Sequence, residues 1–180
     1  MTTESRVLLS GDQRGPIAEV GVDVIALERL ARVLRRTPRL FAGLCQPQER
    51  ADWCRAEGEG LAWAALLWTS KEAAAKCLRT GLWRAGVDWP DLEVLLLDER
   101  GAPVSLTDAQ SSGALFEQGS SLTQRARSGD GIPLMISARR AALQVLDRDQ
   151  LVGRFSLRSA LSDRVSAQEI GVCLMHREQR

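Results

Sequence analysis

Trp68-Thr69-Ser70-Lys71-Glu72-Ala73-Ala74-Ala75-Lys76 is the stretch on which the reading of this chain turns. It lies within residues 61–79, a run of Ala, Leu, Lys and Glu, all strong helix formers. The composition predicts one long helix there. Thr80-Gly81 would stop it, because glycine adopts the left-handed cap without strain. Glu72 and Lys76 are four residues apart and share a helix face, whereas Lys71 is rotated by about 100° from Glu72. Taken alone, that spacing describes an ordinary helix ion pair of small energetic weight.

Composition gives the two lysines more weight. The chain has 180 residues, with 24 Lys+Arg against 23 Asp+Glu and a formal net charge of +1. Lys71 and Lys76 are its only lysines; every other basic residue is arginine. Tyrosine is absent and His176 is the sole histidine. Ser-His-Asp and Cys-His mechanisms therefore lack material, as do histidine-rich metal sites. Carboxylates, arginines and the two lysines must carry any catalysis. Near-neutral charge supplies no global field toward nucleic acid. No apolar run reaches the ~18–20 residues of a membrane span, so no membrane association is expected. Cys45, Cys54, Cys77 and Cys173 show neither a CxxC pair nor zinc spacing, which suits free thiols in a reducing cytoplasm. The polar N-terminus lacks a secretory apolar core.

Outward from the helix, hydropathy predicts an α+β protein. Residues 1–18 read as an N-terminal extension, with a short strand at 7–9. Residues 19–24, Glu-Val-Gly-Val-Asp-Val, alternate as a strand. Residues 25–36 carry Ile25, Leu27, Leu30, Val33 and Leu34 at helical spacing, and Pro38 ends that helix. A second helix is expected over 47–57. Residues 91–97 and 104–106 form a strand pair around the turn at 98–103. The Ser/Gly/Gln-rich segment 107–131 reads as a long loop with a short helix at 114–117. Strands are expected at 132–137, 141–146 and 151–157. The domain is set at 19–147, and 148–180 reads as a C-terminal extension.

Two carboxylates stand out, Asp23 near the end of a strand and Glu72 on the long helix. Converging, they would suffice for Mg²⁺, which keeps several waters and takes its remaining ligands from substrate phosphates. Lys71 and Lys76 flank Glu72 and suit phosphate oxygens as point charges. Five arginines lie between Arg29 and Arg39, opposed only by Glu28, and this local positive ridge suits an acidic partner.

Gly21-Val22-Asp23-Val24 followed by Arg29-Leu30, and then the Trp68–Lys76 stretch ending at Thr80-Gly81, resemble the two motifs of the 4′-phosphopantetheinyl transferase superfamily, holo-acyl-carrier-protein synthase type. Leu40-Phe41 and Gln48-Glu49 resemble its connecting segment, while Asp91-Leu92-Glu93-Val94 and Gly101-Ala102-Pro103 are similar to its strand and turn. The resemblance implies a small antiparallel-rich sheet packed against a long helix and shorter helices. It implies Mg²⁺-dependent transfer of 4′-phosphopantetheine from coenzyme A to a serine of an acyl or peptidyl carrier protein, with release of adenosine 3′,5′-bisphosphate. Carried over residue by residue, it makes Asp23 and Glu72 the metal ligands, and Asp23, Glu72 and Lys76 the catalytic set. Lys71, Lys76, Ser137 and Arg139 become the coenzyme A contacts, and Arg29, Arg36 and Arg39 the carrier-docking residues. The family's late-strand histidine has no counterpart in Met135-Ile136-Ser137-Ala138-Arg139, and Arg139 is the candidate substitute. A single lobe of this family implies a homo-oligomer, usually a trimer. A non-catalytic member that only docks a carrier protein or synthase is the second reading.

Overall fold

The computed structural model describes residues 17–55, 58–79, 87–104, 121–139, 150–161 and 167–178. A six-stranded antiparallel sheet lies against one long central helix, with shorter helices around it, so the α+β expectation holds. The chain begins with β1 (Ile17–Ala26), α1 (Leu27–Arg36), α2 (Pro38–Leu44), α3 (Pro47–Arg55) and α4 (Gly60–Cys77). A 3-10 turn (Trp89–Asp91) leads into β2 (Leu92–Leu97) and the two-residue β3 (Pro103–Val104). Then come α5 (Leu122–Arg127), β4 (Ile132–Ala138), β5 (Gln150–Leu161) and β6 (Ala167–Glu178). The spatial order is β1-β6-β5-β4-β2-β3.

Helix α4 is the hub. Ala62 to Leu67, Ala73, Ala74, Ala75 and Cys77 are buried along it, so it is apolar nearly all round. Its small residues let β1 approach closely. A Cβ on Gly21 would stand 2.0 Å from the Ala73 carbonyl oxygen, so only glycine fits there. This contact fixes which face of β1 looks at the helix. Gly21 is buried, while Val20, Val22 and Val24 alternate onto the opposite face and are 56%, 45% and 53% exposed. Leu174 on the neighbouring β6 is also exposed, at 48%.

Several expectations need correction. Strand β1 runs on to Ala26, so the first helix starts at Leu27 rather than 25. The segment expected as loop, 107–131, contains α5. That helix is short, and it is held by Ser121 at its cap and by the Glu59 carboxylate, which accepts from Leu122 N (2.6 Å) and Thr123 N (3.1 Å). Glu59 lies far away in sequence, so local propensity carried no trace of it. The segment read as a C-terminal extension, 148–180, supplies β5 and β6, and β6 sits between β1 and β5 in the sheet. It has few clear polar alternations because Cys173 and Met175 face the core while Val172 and Leu174 line the other side. Helix α4 ends at Cys77, and Arg79, two residues on, takes φ 56°. The expected strands at 7–9 and 141–146, the helix at 114–117 and the Thr80-Gly81 stop lie outside the described residues.

Candidate active site

Strand β1 and helix α4 bring Asp23 and Glu72 together. Both line a cleft of about 380 Å³ with Ile25, Arg29, Leu30 and Trp68. The spacing explains this: Trp68 and Glu72 are one helical turn apart, and Asp23 is on the α4-facing side of β1, two residues after Gly21. Among the described residues Glu72 makes no hydrogen bond or ion pair. Partial burial, and then the negative charge of Asp23, raise its carboxyl above the ordinary glutamate value, with Lys76 acting in the opposite sense. An unpaired, partly desolvated carboxylate facing a second carboxylate is a natural place for a cation.

Lys76 does not pair with Glu72. Its Nζ donates to Asp23 Oδ1 and to the Val22 carbonyl, both at 2.7 Å. The side chain is half exposed, so its third hydrogen is open to solvent. Asp23 and Glu72 offer two hard carboxylates, the donor type Mg²⁺ takes when waters and substrate phosphates complete its shell.

Lys71 is elsewhere. It is fully buried, and its Nζ donates to Glu49 Oε2 at 2.7 Å, the Leu44 carbonyl at 3.1 Å and the Trp89 carbonyl at 3.2 Å. With all three hydrogens used inside the protein, it has none for a phosphate of bound coenzyme A. The physical reason is helical. Five residues separate the lysines by about 140° around the axis, so they cannot both face one cleft. Glu49 is the functional partner that sequence reasoning missed. The available signal was a lone lysine among apolar positions of α4, which requires a buried counter-charge.

Ser137 and Arg139 lie on and just after β4, away from the Asp23–Glu72 cleft. Ser137 pairs in register with Glu93, and the Arg139 guanidinium bonds the Glu93 carboxylate. Glu93 lines a separate cavity of about 290 Å³. The five arginines of α1 and α2 divide differently. Arg29 reaches the cleft, and Arg36 and Arg39 stand exposed at the end of α1 and the start of α2. Among the described residues none of the three is paired with a carboxylate. Burial pushes the thiols of Cys77 up to about 11 and of Cys45 and Cys173 up to about 12, which makes these three poor nucleophiles.

Asp23 and Glu72 share one cleft of an antiparallel α+β scaffold, and Lys76 is bonded to Asp23 beside it. The scaffold itself matches solved structures. The crystal structure of holo-[acyl-carrier-protein] synthase from Neisseria meningitidis aligns with TM-score 0.51 and 19% identity, covering 92% of this chain and 100% of that one. The holo-ACP-synthase of Plasmodium yoelii aligns with TM-score 0.52 and 13% identity, covering 93% of this chain and 99% of that one. In sequence, a holo-[acyl-carrier-protein] synthase of Chlorobium phaeovibrioides is 40% identical over 86 residues, which is 48% of this chain and 67% of that protein. Residues 19–129 match a family model, and the chain belongs to the 4′-phosphopantetheinyl transferase superfamily. No helix among the described residues is long and apolar enough to cross a membrane.

Proposed function

We propose that this chain transfers 4′-phosphopantetheine from coenzyme A to a serine of an acyl or peptidyl carrier protein and releases adenosine 3′,5′-bisphosphate. The observation that carries this reading is the meeting of Asp23 and Glu72 in one cleft beside Arg29, with Lys76 bonded to Asp23. In this reaction the serine oxygen forms a bond to the pantetheine-bearing phosphorus of the pyrophosphate. The bond from that phosphorus to the bridging oxygen breaks, and the serine proton is lost. Such chemistry needs positioning and charge neutralisation more than covalent participation by the protein. Asp23 and Glu72 would hold Mg²⁺, which when bound neutralises pyrophosphate charge. Lys76 meets a phosphate oxygen with its open hydrogen while Asp23 and the Val22 carbonyl hold the ammonium in place. Glu72, or a water that it would hold together with the metal, would accept the serine proton. Arg29, Arg36 and Arg39 attract the acidic surface of the carrier. The four free cysteines suit a reducing cytoplasm.

Ser137 and Arg139 serve coenzyme A in this reading only if a second copy brings them to the Asp23 cleft. The exposed Val20, Val22, Val24 and Leu174 face supports such an assembly, since among the described residues β1 is an edge strand and its outer apolar side is open. Mixing inactive Asp23→Ala and Arg139→Ala chains tests this. Shared sites predict recovery of activity on mixing; a mixture as inactive as its components contradicts shared sites.

Chromatographic detection of adenosine 3′,5′-bisphosphate from coenzyme A, Mg²⁺ and an apo carrier tests the reaction. Glu72→Ala should abolish release while leaving the melting temperature near that of the parent. Equal release by both chains would sink the assignment.

A further inference from the structure

Lys71 is the only buried cation among the described residues, and it stands next to Glu72 on α4. Its three acceptors belong to three segments. Leu44 is the last residue of α2, Glu49 lies in the first turn of α3, and Trp89 opens the 3-10 turn. Glu49 adds a fourth segment. Its Oε1 accepts from Val94 N of β2 at 2.8 Å, and its Oε2 also accepts from Gln46 N at 2.7 Å. Among the described residues β3 pairs with Leu96 and Leu97, and the Glu49 carboxylate is the acceptor for Val94 N.

The same pair stands behind the cleft. Trp68 and Glu72 line it, whereas Lys71 points away into the body of the protein. Trp89, whose carbonyl Lys71 holds, packs edge-on against Trp68 with ring centroids 4.7 Å apart. Helix α4 is also tied to β1 by Lys76, through Asp23 and the Val22 carbonyl, but that ammonium is half exposed whereas Lys71 is buried. The helix is alanine-rich and buried on nearly every side, and hydrophobic burial alone is similar for many rotations of such a helix about its axis. A buried, fully bonded ion pair discriminates between rotations because a wrong one strands a charge.

We propose that Glu49 and Lys71 are positioning residues for the cleft. Their ion pair sets the rotation of α4 and the seat of Trp68, and so presents Glu72 to Asp23. The rate part of this proposal rests on the transferase reading; the structural part does not.

The test is the paired variant Glu49→Gln/Lys71→Met, which removes both charges together and keeps an amide oxygen for Val94 N. Replacing both members of a buried pair is often near neutral for stability, whereas removing one is strongly destabilising. The paired variant should melt close to the parent, yet lose kcat by about 100-fold, the scale of a misplacement near 1 Å, with KM for coenzyme A little changed. With 5-fluorotryptophan incorporated and the Trp68 resonance assigned by Trp68→Phe, that fluorine signal should shift or split. A merely structural pair predicts lower melting in the single variants but parental kcat and an unchanged Trp68 signal in the folded double variant, and that result overturns the proposal. Should the double variant not fold, Glu49→Asp keeps the charge and shortens its reach by one methylene. It should lower kcat at constant KM and move the Trp68 signal; parental values of both overturn the proposal equally. If the parent itself transfers nothing, the functional reading fails, and the Trp68 signal alone decides the positioning claim.

Discussion

Gly21→Ala is the substitution that most directly probes how the fold builds the cleft. The added Cβ would lie 2.0 Å from the Ala73 carbonyl oxygen and 3.0 Å from both Ala73 C and Cys77 N. All three are backbone atoms, so no side chain can rotate away. Strand β1 and helix α4 must separate by about 1 Å to restore an ordinary contact, and overpacking of this kind costs about 1–3 kcal/mol. The separation acts where it matters, because Asp23 follows two residues after Gly21 and Glu72 precedes Ala73. A shift of about 1 Å between catalytic groups can cost about 100-fold in rate. Thermal melting and steady-state transfer, measured on the same preparation, should both change, with kcat falling by one to two orders of magnitude. A Gly21→Ala chain that melts and turns over like its parent would refute the close-contact account of the site.

Other perturbations separate the remaining parts. Replacing Arg29, Arg36 and Arg39 together by Ala should raise KM for the carrier roughly tenfold at low salt and by much less near 0.5 M salt, because exposed charges are screened over a few ångströms there. A KM increase independent of salt would remove these arginines from docking. Glu72→Gln should stabilise the metal-free protein at neutral pH. Burial and Asp23 raise the Glu72 carboxyl in the folded state, so the parent loses stability as pH climbs from the ordinary glutamate range through the raised value. The advantage of Gln should therefore shrink toward zero as pH falls through that range; an advantage that grows on acidification contradicts the sign. Arg79→Gly should raise stability by about 0.5–1 kcal/mol, since Arg79 is a non-glycine residue at φ 56° and its ion pair with Glu19 is mostly exposed. Lower denaturant stability would mean that the ion pair outweighs the backbone strain.

How much of this was legible depends on whether the decisive contact is local. Helix α4, strand β1 and the Asp23–Glu72 partnership follow from hydropathy, glycine placement and motif order. The Lys71 misreading was avoidable in principle, because a five-residue spacing turns about 140° around a helix and sends the two lysines to different sides. What no local pattern supplied was the partner: Glu49 meets Lys71 across 22 residues and Val94 across 45. Helix α5 was hidden for the same reason, its first turn being capped by Glu59. Strand β6 escaped because an interior strand of this sheet is apolar on both faces near Cys173, leaving little alternation to read. Ser137 and Arg139 lie apart from the Asp23 cleft because β5 and β6 stand between β4 and β1, a strand order that no local pattern carries.

The central claim is that the Asp23–Glu72–Lys76 cleft moves phosphopantetheine onto a carrier protein. Intact-mass spectrometry of apo acyl and peptidyl carrier proteins after incubation with this chain, coenzyme A and Mg²⁺ tests it most directly. The carrier should gain one phosphopantetheine mass, dependent on Mg²⁺ and absent with Glu72→Ala. Unmodified carriers across such a panel, from a folded chain with metal and coenzyme A present, would contradict it.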